Sequence, residues 1–213
     1  MFNEDMNGQG PMPSTLERHL PLFPLSAVVF PGQEARLTII EPRYRQLIHE
    51  SDQNGLTFGL TALLGEELSV FGTEVELLRI EKIHEDGHLI ILVRGQTPFR
   101  ILHYYRQLPE RLYPGGEIQS MPMGAPAETE LQKRLAATYL LVSDLLPVQG
   151  ETIDLNLPYP SWQFGLSVGL SMKQKIKLLS LPTESERQRL LLAYLTELLP
   201  ALEKAVRDGR RAS

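Results

Sequence analysis

The pattern of hydrophobic and polar positions divides the chain into a front half typical of strands and a back half typical of helices. Short aliphatic and β-branched runs fill the front half and predict strands at Ala35–Ile40, Leu56–Ala62, Thr73–Ile83, His88–Arg94 and Phe99–Tyr105. The alternation in Thr73–Ile83 slips where Leu77 and Leu78 are adjacent, which predicts a bulge. Leu89–Val93 is apolar throughout, as is typical of a strand buried on both faces.

Turn-forming residues between these runs indicate how the strands connect. Glu85-Asp86-Gly87 predicts a tight turn between Thr73–Ile83 and His88–Arg94, the clearest pair of strands, because Gly adopts positive φ at low cost. Gly95 to Pro98 predicts a break before Phe99. Pro42–His49 predicts one short helix within the strand region, with Pro42 in the first turn, where proline is tolerated.

Apolar residues in the back half recur at intervals of three or four, which predicts helices. The first helix is predicted from the spacing of Leu131, Leu135, Tyr139, Val142 and Leu146, and Pro147 ends it. Others are predicted at Ser161–Leu170, at Met172–Ser180 and after Thr183. Two capping boxes mark helix starts, Ser171 with Gln174 and Thr183 with Glu186. Pro200 predicts a kink or a restart in the last helix.

These patterns together predict an α+β fold, in which an N-terminal β-barrel-like (pseudo-barrel) domain is followed by a C-terminal α-helical bundle. The segment MPMGAP, with two prolines and a glycine, is typical of a linker. The predicted organisation is a disordered segment (1–18), a β-rich subdomain (19–120), the linker (121–126), a helical subdomain (127–208) and a tail (209–213).

Composition narrows the classes of function. The chain has 213 residues, of which 42% are hydrophobic, enough for one large domain or two small ones joined tightly. Its net charge of −5 argues against a nucleic-acid-binding protein, which usually carries a basic face. The absence of cysteine excludes disulfides, thiolate catalysis and cysteine-based metal sites. No cofactor-binding motif is present, and we predict no cofactor.

No targeting or membrane segment is predicted. Residues 1–18 lack a basic region followed by an apolar one, so they do not form a secretory signal. No apolar run approaches the roughly 18–20 residues that span a bilayer. We therefore predict a cytoplasmic protein without a membrane partner.

Four segments carry a resemblance to a known family. The opening Leu20–Tyr44 reads LPLFPLSAVVFPGQEARLTIIEPRY, and Gly72-Thr73 precedes VELLRIEKI. LVRGQTPFRIL (92–102) and SMKQKIKLLSLPTESERQRLLLAYLTELL (171–199) follow in the same order as in that family. The chain resembles the Lon N-terminal domain, the substrate-engaging module of ATP-dependent Lon proteases. It departs from the family pattern at Pro98 and in the position of Arg100.

The resemblance implies a substrate-binding module without the ATPase and peptidase domains of Lon. The sequence has no G-x-x-x-x-G-K-[ST] phosphate-binding loop, so we expect a stand-alone, non-catalytic protein. The residues that match the family motif are interpreted as structural: Gly32, Glu41, Pro42, Arg43, Tyr44 and Gly95. A ligand-contacting role for the Glu41–Tyr44 cluster is the weaker alternative.

Three other groups were weighed as sites. His84 and His88 flank a turn with Glu85 and Asp86, but their imidazoles need not converge, so no metal site is predicted. Ser171 and Lys173, two apart on a helix, point in different directions and do not predict a Ser–Lys dyad. Trp162 and Phe164 fit a core role better than an aromatic binding box.

The leading functional hypothesis is a binding module that captures exposed apolar or unfolded polypeptide segments. The alternatives are an adaptor for a folded partner such as a protease or chaperone, and a small-molecule enzyme that uses a cleft between the halves. The candidate peptide-binding residues lie at two proline turns expected to be exposed: Phe23, Pro24, Phe30 and Pro31. The competing interpretation places both phenylalanines in the core. The sequence leaves the oligomeric state open.

Overall fold

The computed structural model describes residues 17–146 and 152–212, with side chains to Asp208 in the last helix. The strands are β1 (Glu17–Leu25), β2 (Glu34–Ile39), β3 (Phe58–Leu64), β4 (Glu67–Ile83), β5 (Leu89–Tyr105) and β6 (Gly115–Ser120). The helices are α1 (Pro42–Asn54), α2 (Thr129–Leu145), α3 (Ser161–Ser167), α4 (Met172–Leu179) and α5 (Glu184–Ala212). Strands therefore precede most helices, as the patterning predicted.

The long strand β5 closes the sheet into a barrel. One of its edges pairs with β4 along most of its length. The other edge pairs first with β2, from Leu89 to Arg94, and then with β6, from Phe99 to Tyr105. Since β1 joins β6 to β3, the strands β5, β4, β3, β1 and β6 form a ring, and β2 lies outside it. The predicted barrel-like front half is confirmed.

The predicted break between Gly95 and Pro98 is wrong, because β5 continues through both residues. Pro98 pairs with Thr73, beside a register shift between Thr73 and Val75. Proline has no N–H, and at such an irregularity its absence disturbs the ladder least. The predicted bulge at Leu77 is confirmed by a second register shift between Leu77 and Arg79.

Helix α1 packs against the core of the barrel. Its buried residues Tyr44, Leu47 and Ile48 join a core with strand residues such as Phe58 and Ile91. The helix begins at Pro42, as predicted, and ends at Asn54, five residues beyond the predicted His49. Helix ends are hard to place from sequence, and here the last turn is polar, so hydrophobic periodicity gives no sign of it.

Two helices make the main contact of the back half. Leu135, Tyr139 and Val142 of α2 pack in one core with Leu191 and Leu195 of α5. Both predicted capping boxes are confirmed, at Ser171 with Gln174 and at Thr183 with Glu186. Of the kink or restart predicted at Pro200, the restart does not occur, since α5 continues to Ala212. Among the described helices, none is both long and apolar enough to cross a membrane.

The predicted linker 121–126 is fixed by hydrogen bonds to the helical half. Arg187 Nη2 donates to Met123 O over 2.8 Å, and the Tyr159 hydroxyl donates to Gly124 O over 3.1 Å. The expected disordered segment 1–18 lies outside the described residues apart from Glu17 and Arg18, which begin β1. The expected tail at 209–213 is part of α5 as far as Ala212. The division into two subdomains stays a prediction.

Candidate functional site

The turn at Phe30–Gln33 connects the two halves of the molecule. Gln33 N donates to Phe30 O over 3.1 Å, with Pro31 and Gly32 at the central positions and a φ of 77° at Gly32. Proline followed by a residue with positive φ defines a type II turn, which requires glycine at its third position. This geometry gives Gly32 the structural role that the sequence predicted.

The same turn is joined to β5 by a bulge. Gly32 N donates to Gly95 O, Gly95 N donates to Gln33 O, and both distances are 2.9 Å. Two residues facing one, with the first a glycine at positive φ, form a G1 bulge. A Cβ on Gly95 would lie 2.1 Å from Phe30 O, so only glycine fits there.

The two phenylalanines of the proline turns lie in hydrophobic cores. Phe23 is 8% exposed and stacks on Tyr44 with 4.2 Å between ring centroids. Phe30 is 0% exposed and stacks on Trp162 at 5.3 Å. The expectation that both rings are exposed is wrong, because each fills space between elements that are distant in sequence. Pro24 is half-buried in β1, opposite Thr61.

The Glu41–Tyr44 cluster forms the start of α1. Glu41 is the N-cap residue, and its side chain pairs with Arg43 over 2.7 Å instead of capping the helix. Arg43 lies 4.6 Å from the centroid of the Tyr44 ring, which is 4% exposed. Burial raises the pKa of Tyr44 to about 12. These contacts are those of a helix start that is anchored in the barrel core.

A groove runs from the Pro31-Gly32 turn across the helical half. Two cavities of about 280 and 320 Å³ share Pro31, Leu157 and Trp162 in their walls. A third, of about 230 Å³, shares Ile153 with the first of these. We call this surface the apolar groove and define it by Pro31, Leu140, Ile153, Leu155, Leu157 and Trp162.

The apolar groove keeps large aliphatic side chains in contact with solvent. Leu140 is 61% exposed, Leu157 41% and Leu155 39%. The segment that carries two of these leucines is held in place: Gln163 Oε1 accepts from Asp154 N over 2.8 Å, and Gln132 Nε2 donates to Leu155 O over 2.7 Å. Exposed apolar side chains on an anchored backbone form a surface suited to binding.

A buried ion pair packs against the ring of Trp162. Arg187 and Glu184 are both 0% exposed and lie 3.0 Å apart, and Glu184 also accepts from Ser161 Oγ over 2.6 Å. The Arg187 guanidinium carbon lies 4.4 Å from the centroid of the Trp162 ring. Burial lowers the pKa of Arg187, and the Glu184 carboxylate opposes that shift. The indole N–H of Trp162 is buried without a partner among the described residues.

Sequence reasoning did not find the groove or this ion pair. Glu184 and Arg187 are three apart in the first turn of α5, a spacing that predicts an ordinary surface pair. Glu184 and Arg187 are buried because the segments that carry Ser161 and Met123, which are distant in sequence, pack and bond against them. Trp162 is 4% exposed and Phe164 0%, so both side chains have the core role that the sequence predicted.

The two histidines at the β4–β5 turn lie opposite each other. His84 N donates to His88 O over 2.9 Å, so the two residues face each other, a register different from that of a two-residue turn. The His88 ring pairs with Asp86 over 3.1 Å. In the described ranges 17–146 and 152–212, no group of three His, Asp or Glu residues could hold a metal ion.

Comparisons with known proteins agree with this architecture. The family described as the ATP-dependent protease La (LON) substrate-binding domain matches residues 19–197. A crystal structure of a Lon N-terminal domain protein from Xanthomonas campestris is 26% identical, with a TM-score of 0.65, over 83% of this chain and 98% of that one. The N-terminal domain of a Mycobacterium avium complex Lon protease is 17% identical, with a TM-score of 0.63, over 84% and 98%, and shows the shared fold. Among curated proteins, none matches the sequence.

Proposed function

Because the chain belongs to the family of the ATP-dependent protease La (LON) substrate-binding domain, we propose that it binds unfolded or partly folded polypeptides in the apolar groove. The observation that carries this proposal is the exposure of Leu140, Leu155 and Leu157 along connected cavities. Monomeric proteins seldom leave such side chains grouped on an anchored surface unless a ligand covers them.

The groove suits weak and broad recognition. Burying one aliphatic side chain contributes about 1–2 kcal/mol, so three leucines support only modest affinity after the cost of ordering the bound segment. Of the four residues predicted to contact peptides, Pro31 belongs to the groove wall, where it lines two cavities. Its side chain is buried, contrary to the expected exposure, so we assign direct contact to the exposed leucines instead. Phe30 contributes indirectly, because its ring stacks on Trp162 in the groove wall. Phe23 and Pro24 are assigned to the barrel.

We propose that this binding is non-catalytic and takes place in the cytoplasm. The family match is to a substrate-binding domain. The groove walls supply aliphatic, aromatic, amide and hydroxyl groups and the Glu34–Arg94 ion pair, without a nucleophile paired to a base. The purified protein should therefore neither hydrolyse ATP nor cleave casein. ATP turnover that stays with the protein through stringent purification would contradict this part of the proposal.

The binding test uses a permanently unfolded polypeptide. Fluorescein-labelled lactalbumin, reduced and carboxymethylated, is titrated with the protein and followed by fluorescence anisotropy. Replacing Leu155 and Leu157 by Ser should weaken binding about thirtyfold or more, because two apolar contacts of about 1–2 kcal/mol each are lost. The melting temperature should stay near that of the wild type, since both side chains are exposed.

Leu112→Ser is the matched control, because Leu112 is 56% exposed and lies outside the groove. It should bind like the wild type. Equal binding by the groove variant and this control would show that the groove is not the site. Native, disulfide-intact lactalbumin provides the second comparison, since a module for unfolded chains should ignore it. Equal binding of the native form would favour an adaptor for folded partners instead.

A further inference from the structure

Strand β2 has an open edge. It pairs with β5 from Glu34 opposite Arg94 to Ile39 opposite Leu89. It stands at the end of the strand order, outside the closed ring, and no other described strand pairs with it. An open edge presents unpaired main-chain donors and acceptors that another extended chain can use.

The hydrogen bonds of the bulge show which residues face that edge. Gly95 N donates to Gln33 O, so bonded pairs recur at every second residue from there, at Ala35, Leu37 and Ile39. The N–H and C=O groups of Glu34, Arg36 and Thr38 therefore point away from β5. Outside the β2–β5 ladder, the described residues make no main-chain hydrogen bond to these three.

Side chains leave this edge accessible. Glu34, Arg36 and Thr38 are all exposed. Glu34 pairs with Arg94 of β5 over 2.7 Å, and Arg36 reaches across β5 to Glu81 of β4 over 2.5 Å. Because both charged side chains lie back over the outer face of the sheet, they do not block the edge.

The open edge leads directly into the apolar groove. Glu34 is the first residue of β2 and also lines the 280 Å³ cavity, together with Pro31 and Gln33. A chain paired along the β2 edge would therefore continue into the groove at the Pro31-Gly32 turn. Three outward-facing residues give up to six main-chain hydrogen-bonding groups beside a surface that takes apolar side chains.

We propose that the β2 edge binds the main chain of an extended client segment as an added strand, with the continuing segment lying in the apolar groove. The inference rests on the proposed polypeptide-binding function and gives it a mode of recognition. Main-chain hydrogen bonds are the same for every sequence, so edge pairing supplies binding that is independent of client sequence. The groove then favours apolar clients.

The test removes one edge donor without disturbing the barrel. In Thr38→Pro the outward N–H is lost while the β2–β5 ladder stays intact, and proline is tolerated at such positions of edge strands. Thr38→Val is the matched control, because it keeps the N–H and changes only the side chain. For the unfolded lactalbumin probe, Thr38→Pro should weaken binding about fivefold to tenfold and Thr38→Val should not.

A second arm changes the peptide instead of the protein. A ten-residue apolar peptide is compared with the same peptide N-methylated at four consecutive central residues, which removes donors from both of its edges. The methylated peptide should bind at least about tenfold more weakly to the wild type. If Thr38→Pro lowers the melting temperature, the comparison of the two peptides tests edge pairing by itself.

The outcomes separate the two proposals. Wild-type binding that neither Thr38→Pro nor N-methylation weakens would overturn edge pairing and leave binding in the groove intact. A wild type that binds no unfolded polypeptide would overturn both. Sedimentation that shows a dimer in the wild type and a monomer in Thr38→Pro would assign the edge to a second copy of the chain and overturn the proposal.

Discussion

Phe23 and Phe30 look alike in the sequence, since each is followed by proline and they are only seven positions apart. The structure places them in different cores. Phe23 lies in the barrel with Tyr44 and other residues of the strand half. Phe30 lies among residues of α2, α3, α4 and α5, although it belongs to the strand half.

The comparison shows that the strand half builds its barrel core from its own residues, whereas the helical half does not build its core alone. The barrel core around Phe23 takes its buried side chains from residues 23–113. The helical core takes one of its fully buried rings, Phe30, from outside the helices, and Arg187 ties it to the linker at Met123. The groove lies where the second core meets the strand half, so its shape depends on both.

The largest expected effect on stability comes from replacing each of these two phenylalanines by alanine in turn. Phe30→Ala and Phe23→Ala should each lower the free energy of unfolding by about 3–5 kcal/mol, because each leaves a cavity in a packed core. Their local effects should differ. Hydrogen exchange should accelerate mainly in α2 and α3 for Phe30→Ala, and mainly in α1 and β3 for Phe23→Ala. Identical exchange patterns would mean that the halves unfold as one unit.

A somewhat smaller effect is expected at the buried ion pair. Arg187→Met should cost about 3 kcal/mol, because it leaves the Glu184 carboxylate buried and unpaired. The double variant Arg187→Met/Glu184→Met should recover part of this loss, measured by urea denaturation. Arg189→Ala is the control, since Arg189 is exposed and should change stability by less than about 0.5 kcal/mol. Glu184 also accepts hydrogen bonds from Ser161 Oγ and from Gln188 Nε2. A double variant less stable than Arg187→Met would show that these two bonds contribute more than the ion pair.

The smallest expected effect is a loss of stability at alkaline pH that originates in the barrel. Burial raises the pKa of Tyr44 to about 12, above the value of about 10 in an unfolded chain. The folded state then holds its proton longer, so the stabilisation is complete below pH 10 and is lost as pH rises toward 12. Each such group contributes at most about 1.4 kcal/mol per pH unit.

Tyr44→Phe isolates this contribution. Urea denaturation at pH 8, 10 and 11 should show a shallower loss of stability in Tyr44→Phe than in the wild type. The comparison cancels the ionisation of lysines, which is common to both proteins. Parallel curves for the two proteins would mean that Tyr44 ionises at its ordinary pKa and that the phenol is in contact with water.

The sequence predicted most elements but not how they meet. β-branched runs placed β2 and β3 within two residues, and the adjacent Leu77 and Leu78 marked a bulge that is present. β4 begins six residues before the predicted start, β5 joins two predicted strands, and β1 and β6 were not predicted. The start of α1 and the capping boxes were also placed correctly, because local hydrogen bonds and proline geometry determine them. The break expected at Gly95 was wrong, because the function of that glycine is to let Phe30 O approach.

By itself, the sequence determined the succession of a strand half and a helical half, the family and the turn at Pro31-Gly32, since these depend on patterns within short stretches of chain. Only the tertiary structure decided that Phe30 is buried, that Arg187 and Glu184 form a pair without solvent, and that Leu140 and Leu157 border one groove. Each of these depends on packing between segments whose relative placement no local pattern specifies. Burial is a property of such contacts, and a sequence pattern indicates only which residues can tolerate it.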